Sequence, residues 1–398
     1  IAILFKSLYL YAMLKAFKYR LYPTRDQETL INKHIGGCRF VYNLALETKQ
    51  MAYAGSKVNL SCFDLNKQLP DLKNECEWLK EINSQSLQQS ITNMDVAFTR
   101  FFKGQSDFPK FKKKSSAQSF SVPQKVFVFD GLLNIPKFKT GIPIVLSRPI
   151  KGVIRSATIS RTPTGKYFAS ILCETGEAIP EKRTIKEDTS IGIDLGIKSF
   201  LATSDGKIFD NPKFLSKAQS RLKFTQSKYS KHKGKRTKKR LVLQHEKVAN
   251  QRKNFLHKLS ADIVKSHDTI CVEDLNIAGL LKNHCIAQSI ADAGWGMFIN
   301  MIKYKSEWRG VNVLKIGRFE PSSKTCSICG HVNKDLTLKD RFLSCECGNV
   351  LDRDVNAAIN IKNFALKNNL SGEHRLKNRN ELPTLVGVLT CEVATIKT

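Results

Sequence analysis

Residues 345–361 read CECGNVLDRDVNAAINI, and this stretch joins two patterns that predict different structures. Cys345 and Cys347 lie one residue apart, a spacing that suits two ligands of one metal ion. Asp352 and Asp354 follow, and an apolar, alanine-containing run begins directly after them. The stretch therefore predicts the end of a metal-binding module and the start of a helix that belongs to a larger core.

Helical spacing distinguishes the two aspartates. Asp354, Ala358 and Ile361 fall on one face of the predicted helix, and the small residue allows that face to pack closely on a sheet. Asp352 falls on a more polar face, where it suits a helix cap or a partner of Arg353. The spacing thus favours Asp354 as the acid that reaches a site in the core.

The cysteine pair at 345 and 347 has a second pair before it. Cys326 and Cys329 form a CxxC pair, and each pair is followed by a glycine. Four thiolates in two close pairs are typical of a structural, tetrahedral zinc site without an open position for substrate. Accidental spacing is the alternative, and the other seven cysteines read as ordinary core or surface residues.

The charge of the chain indicates a polyanionic partner. The 398 residues contain 65 Lys and Arg against 35 Asp and Glu, a formal net charge of +30. Such an excess works against a compact fold, and nucleic acid is its usual reason, with ribosome-like or membrane-surface binding as alternatives. Eleven cysteines without a disulfide framework favour a reducing, cytoplasmic setting. No run of apolar residues has the length of a membrane span.

Two further acids lie on predicted strands. Asp194 belongs to the strand GIDLG, where it shares a face with two glycines, which suggests space for a phosphate backbone and a metal. Glu273 lies in the middle or at the end of the apolar strand TICVEDL, where a buried carboxylate needs a partner or a metal. With Asp354 they are the parts of a ribonuclease H-like site, in which carboxylates hold two Mg²⁺ ions. A capping role at a strand end is the alternative for Asp194.

The basic residues concentrate in two segments. FPKFKKK, at 108–114, interleaves aromatics with Lys112 and Lys113. Residues 211–258 hold sixteen Lys or Arg and one acid, and their densest run predicts a helical arm with a nucleic-acid face rather than a disordered tail. The candidate contacts in that run are Lys235, Arg236, Lys239 and Arg240.

Together these blocks resemble the TnpB family, the OrfB-type proteins of bacterial insertion sequences and relatives of type V CRISPR effector nucleases. The matching pieces extend over about 13–366 and include FKYRLYPT, CRFVYN, GIDLGIK, VEDLNIAGL, DAGWGMF, PSSKTCSICG and CGNVLDRDVNAAINI. The resemblance implies an RNA-guided nuclease that binds an RNA from the transposon end and cuts double-stranded DNA beside a short motif. It implies Asp194, Glu273 and Asp354 as catalytic acids, two catalytic Mg²⁺ ions and one structural Zn²⁺. It also implies a motif-reading helix at SQSLQQSI, with Ser84, Gln85 and Gln88 as candidates and Ser121 beside them.

The expected fold is α+β and multidomain. It comprises a leader outside the fold (1–12, before the first Met at 13), a β-barrel wedge domain (13–23 and 119–182), a helical recognition insertion (24–118), a RuvC-like nuclease domain (190–320 and 349–366), a zinc-finger insertion (321–348) and a flexible tail (367–398). The expected setting is the bacterial cytoplasm, at the nucleoid.

Two other functions share some of these features. A DDE-type transposase uses the same core chemistry, but a zinc module between the second and third acids argues against it. A nuclease-dead, RNA-guided DNA-binding repressor is the other alternative, and the presence of all three acids argues against that.

Overall fold

A computed structural model of the protein describes residues 12–318, 320–337 and 340–370. They form two compact units, over 12–178 and 179–370. Only residue 12 of the predicted leader and residues 367–370 of the predicted tail are described; the rest of both segments lies outside the described residues. None of the described helices is long and apolar enough to cross a lipid bilayer.

The N-terminal unit is built on an antiparallel sheet. Its strands are β1 (Ala12–Leu21), β2 (Gln118–Val122), β3 (Phe127–Phe129), β4 (Leu132–Asn134), β5 (Ile142–Val145), β6 (Val153–Arg161) and β7 (Tyr167–Ala178). They pair antiparallel in the order β2-β6-β7-β1-β5-β4-β3. Buried and partly exposed residues alternate along β7, as expected for a sheet with one face on a core.

The barrel predicted for this unit is not closed. Strands β2 and β3 stand at opposite ends of the strand order and do not pair with each other in the described chain. Alternating hydrophobicity and frequent turns predict antiparallel strands correctly, but closure depends on strand tilt and stagger between distant strands. The prediction of a closed barrel is therefore wrong, while the β-rich character is confirmed.

Helices fill the long connection between β1 and β2. They are α1 (Arg25–Ser56), α2 (Cys62–Lys67), α3 (Leu69–Glu75), a 3₁₀ helix (Glu77–Glu81) and α4 (Ser84–Phe102). Thr24 and Gln27 have the spacing of a capping box at the start of α1, and the box is present: the Oγ1 of Thr24 accepts from the backbone N–H of Gln27, and the Oε1 of Gln27 accepts from the backbone N–H of Thr24.

The helices and the sheet of the N-terminal unit share one hydrophobic core. Leu87, Ile91 and Met94 form the buried stripe of α4, as its spacing predicts. They belong to the same cluster as Phe120 of β2 and Ile171 of β7. The predicted helical insertion is thus packed as a layer on the sheet rather than around a core of its own.

The C-terminal unit holds a five-stranded mixed sheet. Its strands are β8 (Ser190–Leu195), β9 (Ser199–Thr203), β10 (Ile208–Asp210), β11 (Thr269–Glu273) and β12 (Asn312–Ile316), and a hairpin follows, β13 (Phe342–Ser344) and β14 (Val350–Asp352). The order of the sheet is β10-β9-β8-β11-β12, in which β11 runs parallel to β8 and β12. Strands β8, β9 and β10 pair antiparallel.

In the described part of this unit, six helices accompany the sheet. They are α5 (Phe214–Lys231), α6 (Lys235–Ser266), α7 (Ile277–Leu280), α8 (Ala287–Ala293), α9 (Trp295–Glu307) and α10 (Arg353–Leu370). The predicted basic arm is the hairpin of α5 and α6, so both halves of that segment are helical. Helix α10 continues past the predicted boundary at 366.

Candidate functional site

The carboxyl ends of β8 and β11 bring the first two acids to neighbouring positions. Asp194 is the penultimate residue of β8, and Glu273 is the last residue of β11. The two strands pair in parallel, and the register sets Val272 opposite Ile193, directly before the two acids. Parallel strands lie about 4.8 Å apart, so both carboxylates emerge at the same edge of the sheet.

Helix α10 packs against β8 at unusually close range. A Cβ atom added to Gly192 would lie 2.0 Å from the carbonyl oxygen of Ala358 and 2.8 Å from the backbone nitrogen of Lys362. The sequence suggested that the bare glycine face leaves room for a phosphate backbone; at Gly192 that interpretation is wrong. The missing side chain makes room for the backbone of α10 instead.

The same helix brings Asp354 to the two strand acids. Asp354 lies in the first turn of α10, and its Oδ2 is 3.9 Å from where a Cβ of Gly196 would be. The negative charges of Asp354 and Glu273 both act on Asp194. The three predicted acids therefore lie close enough to interact, although they are far apart in the chain.

Electrostatics make this cluster unfavourable without a counter-ion. Burial, together with the negative charges of Asp354 and Glu273, raises the pKa of Asp194 to about 7. Burial also raises the pKa of Glu273, with a further contribution from Asp274. Three carboxyl groups at one point, two of which disfavour ionisation without a cation, match the oxygen-rich donor set that Mg²⁺ prefers, so the residues fit such an ion.

The residues around the acids have distinct roles. The Oδ1 of Asp352 accepts hydrogen bonds from the backbone of Asp354 at 2.9 Å and of Val355 at 3.3 Å, so the predicted helix cap is confirmed. Arg353 donates to the carbonyl oxygen of Thr337, and its positive charge partly offsets the rise in the pKa of Asp194. Sequence reasoning gave Arg353 no role at the acid cluster.

The four predicted cysteine ligands also converge. Their sulfur atoms all lie within 4.8 Å of one another, with 3.7 Å between Cys326 and Cys347 and 3.5 Å between Cys329 and Cys345. A zinc ion bound to four thiolates at about 2.3 Å puts the sulfurs about 3.8 Å apart. The cluster therefore has the size and the donors of a structural zinc site.

Two tight turns shape this cluster. Gly330 and Gly348, which follow the two cysteine pairs, both have the positive φ angles that favour glycine. Burial alone would raise the pKa of the Cys326 thiol, but hydrogen bonds from the backbone of Cys329 and Ile328 and from Asn349 lower it to about 6. The turn at the first cysteine pair thus favours the thiolate form of Cys326, the form that binds metal, whereas the pKa values of Cys345 and Cys347 are raised by hydrogen bonds with neighbouring cysteine thiols.

Sequence reasoning missed two asparagines of α10. Asn356 and Asn360 are buried and bond to the backbone just before and within the first cysteine pair. Their signal in the sequence was two amides one helical turn apart in an otherwise apolar helix, a pattern that requires buried hydrogen-bond partners.

The candidate motif-reading residues lie around the first turn of α4. Ser84 and Gln88 are exposed, and the Ser84 hydroxyl accepts from Lys73. The side chain of Gln85 donates to that of Gln124 at 3.0 Å. Ser121, on β2, shares a hydrogen bond of 3.1 Å with Thr158. Exposed polar groups are therefore available on this helix, but three of the four candidates, Ser84, Gln85 and Ser121, already hydrogen-bond within the unit.

The candidate basic residues differ in exposure and in the contacts they already make. The Lys112 ammonium lies 3.8 Å from the centre of the Tyr42 ring, and Asn43 bonds both backbone groups of Lys112. Lys113 is exposed. The four candidates at the start of α6 are all exposed, namely Lys235, Arg236, Lys239 and Arg240. The start of α6 is thus the more exposed cationic surface, whereas the Lys112 ammonium already contacts the Tyr42 ring.

Comparison with known families gives three matching family models. One described as "Cas12f1-like, TNB domain" matches residues 295–361, one described as "Probable transposase" matches 170–284, and one described as "Helix-turn-helix domain" matches 13–57. In the last range the structure has one strand and one long helix, β1 and α1, rather than two helices.

Relatives extend over most of the chain. A "Putative RNA-guided DNA endonuclease" of Streptomyces pristinaespiralis is 36% identical over 87% of this chain and 88% of its own. "Putative RNA-guided DNA endonuclease InsQ" of Escherichia coli strain K12 is 30% identical, covering 87% and 91%. "TnpB-like protein L770" of Acanthamoeba polyphaga mimivirus is 24% identical, covering 88% and 73%. The chain belongs to this TnpB, or OrfB, family of insertion-sequence proteins related to RNA-guided DNA endonucleases.

The fold is also found in a solved structure. Cas12f1, in its complex with sgRNA and target DNA, matches with a TM-score of 0.55 over 88% of this chain and 99% of that one, at 14% identity. That likeness concerns the α+β fold.

Proposed function

We propose that the protein is a transposon-encoded, RNA-guided, Mg²⁺-dependent DNA endonuclease that cuts target DNA next to a short transposon-associated motif. The observation that carries this is the meeting of Asp194, Glu273 and Asp354 at one edge of a mixed sheet in a strongly basic chain. The names of the two bacterial relatives support the same activity. We propose the bacterial cytoplasm, at the nucleoid, as its place of action.

In this proposal the C-terminal unit is a RuvC-like nuclease with a zinc-finger insertion at 321–348. The N-terminal unit comprises the wedge sheet and the recognition helices. The zinc finger is proposed to be structural, because its four cysteines would fill all four positions of a tetrahedral zinc ion and leave none open for substrate.

The proposed reaction is hydrolysis of a phosphodiester. Two bound Mg²⁺ ions would supply an activated water and neutralise the leaving oxygen. Asp194, Glu273 and Asp354 would hold them, with Asp194 ionised once a cation offsets its two acidic neighbours. The oxygen of water bonds to phosphorus, one phosphorus–oxygen ester bond breaks, and the leaving oxygen gains a proton. No covalent intermediate with the protein forms.

Sequence choice in this proposal comes from the RNA. A guide RNA derived from the transposon end pairs with the target strand, while the protein reads backbone shape and a short motif. The exposed cations at the start of α6 suit a nucleic-acid backbone, because each phosphate contact adds affinity without reading sequence. Ser84 and Gln88 on α4, together with Gln85 and Ser121, are the proposed motif readers.

The test begins with the RNA. The protein is purified after co-expression with its transposon end, and the bound RNA is sequenced. A defined RNA species with a variable guide segment is expected. A random pool of RNA would refute the proposal. A plasmid library with a matching target and randomised flanking bases is then incubated with the complex and Mg²⁺. Cutting at one flanking motif is expected, and Asp194→Ala is expected to abolish it.

Two other outcomes identify the alternatives. Strand-transfer products from the same reaction would indicate a transposase, which the "Probable transposase" description of one matching model brings forward. Tight, guided DNA binding without cutting by the wild type would indicate a repressor. Cutting that persists in Asp194→Ala would refute the assigned acids.

A further inference from the structure

Helix α10 carries two buried amides that face away from the acid cluster. Asn356 and Asn360 are 0% and 3% exposed and lie one helical turn apart. A buried amide destabilises the fold by about 1–3 kcal/mol unless its hydrogen bonds are made, so these positions need specific partners.

Those partners all belong to the segment that carries the first cysteine pair. The Oδ1 of Asn356 accepts from the backbone of Ser327 at 3.0 Å, and its Nδ2 donates to the carbonyl oxygen of Thr325 at 2.7 Å. The Nδ2 of Asn360 donates to the carbonyl oxygens of Ser322, at 2.7 Å, and Thr325, at 2.6 Å. Ser327 lies between Cys326 and Cys329, so the hydrogen bond of Asn356 reaches into the turn formed by the first cysteine pair, which we call the first knuckle.

The opposite face of α10 positions a carboxylate. Ala358 and Ile361 are fully buried, and the helix backbone touches β8 at Gly192. Asp354 lies on this face in the first turn. Since a helix moves as a rigid element over two turns, a shift at the asparagine face is also a shift of Asp354.

We propose that Asn356 and Asn360 are positioning residues that couple metal occupancy of the cysteine cluster to the position of Asp354. An ordered knuckle fixes Ser322–Ser327, the two amides fix the first turns of α10, and Asp354 is held at the distance from Asp194 that a shared divalent cation needs. Groups behind metal ligands commonly change metal affinity by 10–100-fold. The inference rests on the proposed function for its effect on cleavage, but the coupling itself is a property of the fold.

The first experiment uses the protein–RNA complex with Asn356→Ala, Asn360→Ala and the matched control Asn363→Ala, an exposed asparagine of the same helix. Zinc content and the Mg²⁺ dependence of single-turnover plasmid cleavage are measured. Asn356→Ala and Asn360→Ala are expected to keep one zinc per chain. The Mg²⁺ concentration for half-maximal cleavage should rise on the order of ten-fold, with the maximal rate recovered at high Mg²⁺.

Recovery at high Mg²⁺ separates positioning from loss of folded protein, which added Mg²⁺ would not restore. The control is expected to match the wild type in both readouts. An unchanged Mg²⁺ midpoint in both asparagine variants would overturn the proposal. Loss of zinc from both would also overturn it, because the amides would then build the zinc site rather than transmit its occupancy.

A second experiment does not depend on activity. Hydrogen exchange of residues 353–361 is followed in the wild-type complex before and after a zinc-selective chelator. Exchange is expected to speed up when zinc is removed, and to be nearly independent of zinc in Asn356→Ala. Exchange in the wild type that ignores zinc would refute the coupling. A wild type that cuts nothing at any Mg²⁺ concentration, yet exchanges in a zinc-dependent way, would refute the proposed function alone.

Discussion

The close contact between β8 and α10 makes a strong prediction for Gly192→Ala. The added Cβ would lie 2.0 Å from the carbonyl oxygen of Ala358, whereas real Cβ contacts essentially never fall under 3.0 Å. Both obstructing atoms closest to it belong to the backbone of α10, so a side-chain rotation cannot relieve the clash. The helix must therefore move away from the strand by about 1 Å, the difference between the two distances.

This displacement has two measurable effects. Overpacking of this kind costs about 1–3 kcal/mol, which lowers the melting temperature of a unit of this size by roughly 2–4 °C for each kcal/mol. Asp354 moves with the helix, and a misplacement of about 1 Å at a reacting centre can slow the reaction on the order of 100-fold. Thermal unfolding and single-turnover plasmid cleavage measure the two effects on the same preparation.

The matched control is Gly296→Ala, at the start of α9 in the same unit. A Cβ there meets only Ile277 at 3.7 Å, an ordinary contact, so stability is expected to stay level or rise slightly. The reasoning is refuted if Gly192→Ala melts and cleaves like the wild type.

Three further predictions concern protonation and metal. Burial lowers the pKa of His34, so its neutral form stabilises the fold above about pH 6.5, and that stability is lost as pH falls towards the lower folded pKa. His34→Leu should therefore flatten the dependence of melting temperature on pH between 7 and 5. Cys329→Ser should reduce bound zinc to well below one per chain by atomic absorption, whereas Cys285→Ser, at an exposed cysteine outside the cluster, should leave it unchanged. The pKa of Asp194 is raised from 3.8 to about 7, so its contribution to stability is lost as pH rises through that value. At about 1.36 kcal/mol for each pKa unit, Asp194→Asn should raise the free energy of unfolding of the metal-free protein at pH 8 by up to about 4 kcal/mol, measured by denaturant titration, although cleavage is lost. A lower stability for Asp194→Asn would contradict the assigned environment.

Features encoded by neighbouring residues were predictable from the sequence. The capping box before α1 and the apolar stripe of α4 depend on residues three or four apart, so the local spacing is sufficient to predict both. The CxxC and CxC pairs predict a cluster, because two short turns suffice to bring each pair together. The motifs identify the three candidate acids, but their proximity comes from the pairing of β8 with β11 and from the packing of α10 on β8.

Features that depend on distant partners were not predictable in this way. Closure of the N-terminal sheet depends on the positions of β2 and β3, which no local pattern records. The bare face at Gly192 allows either a ligand or a helix, and only the approach of α10, more than 150 residues later in the chain, decides between them. Asn356 likewise reads as a polar helix residue until its partner at Thr325 is known.

The most direct test of the account compares the two aspartates that flank Arg353. The wild-type protein–RNA complex, Asp354→Asn and Asp352→Asn are each incubated with target plasmid and Mg²⁺, and the rate of strand cutting is measured. Asparagine caps a helix nearly as well as aspartate, so Asp352→Asn is expected to cut within a few-fold of the wild type. Asp354→Asn is expected to cut nothing. Normal cutting by Asp354→Asn, or no cutting by the wild-type complex, would contradict the account.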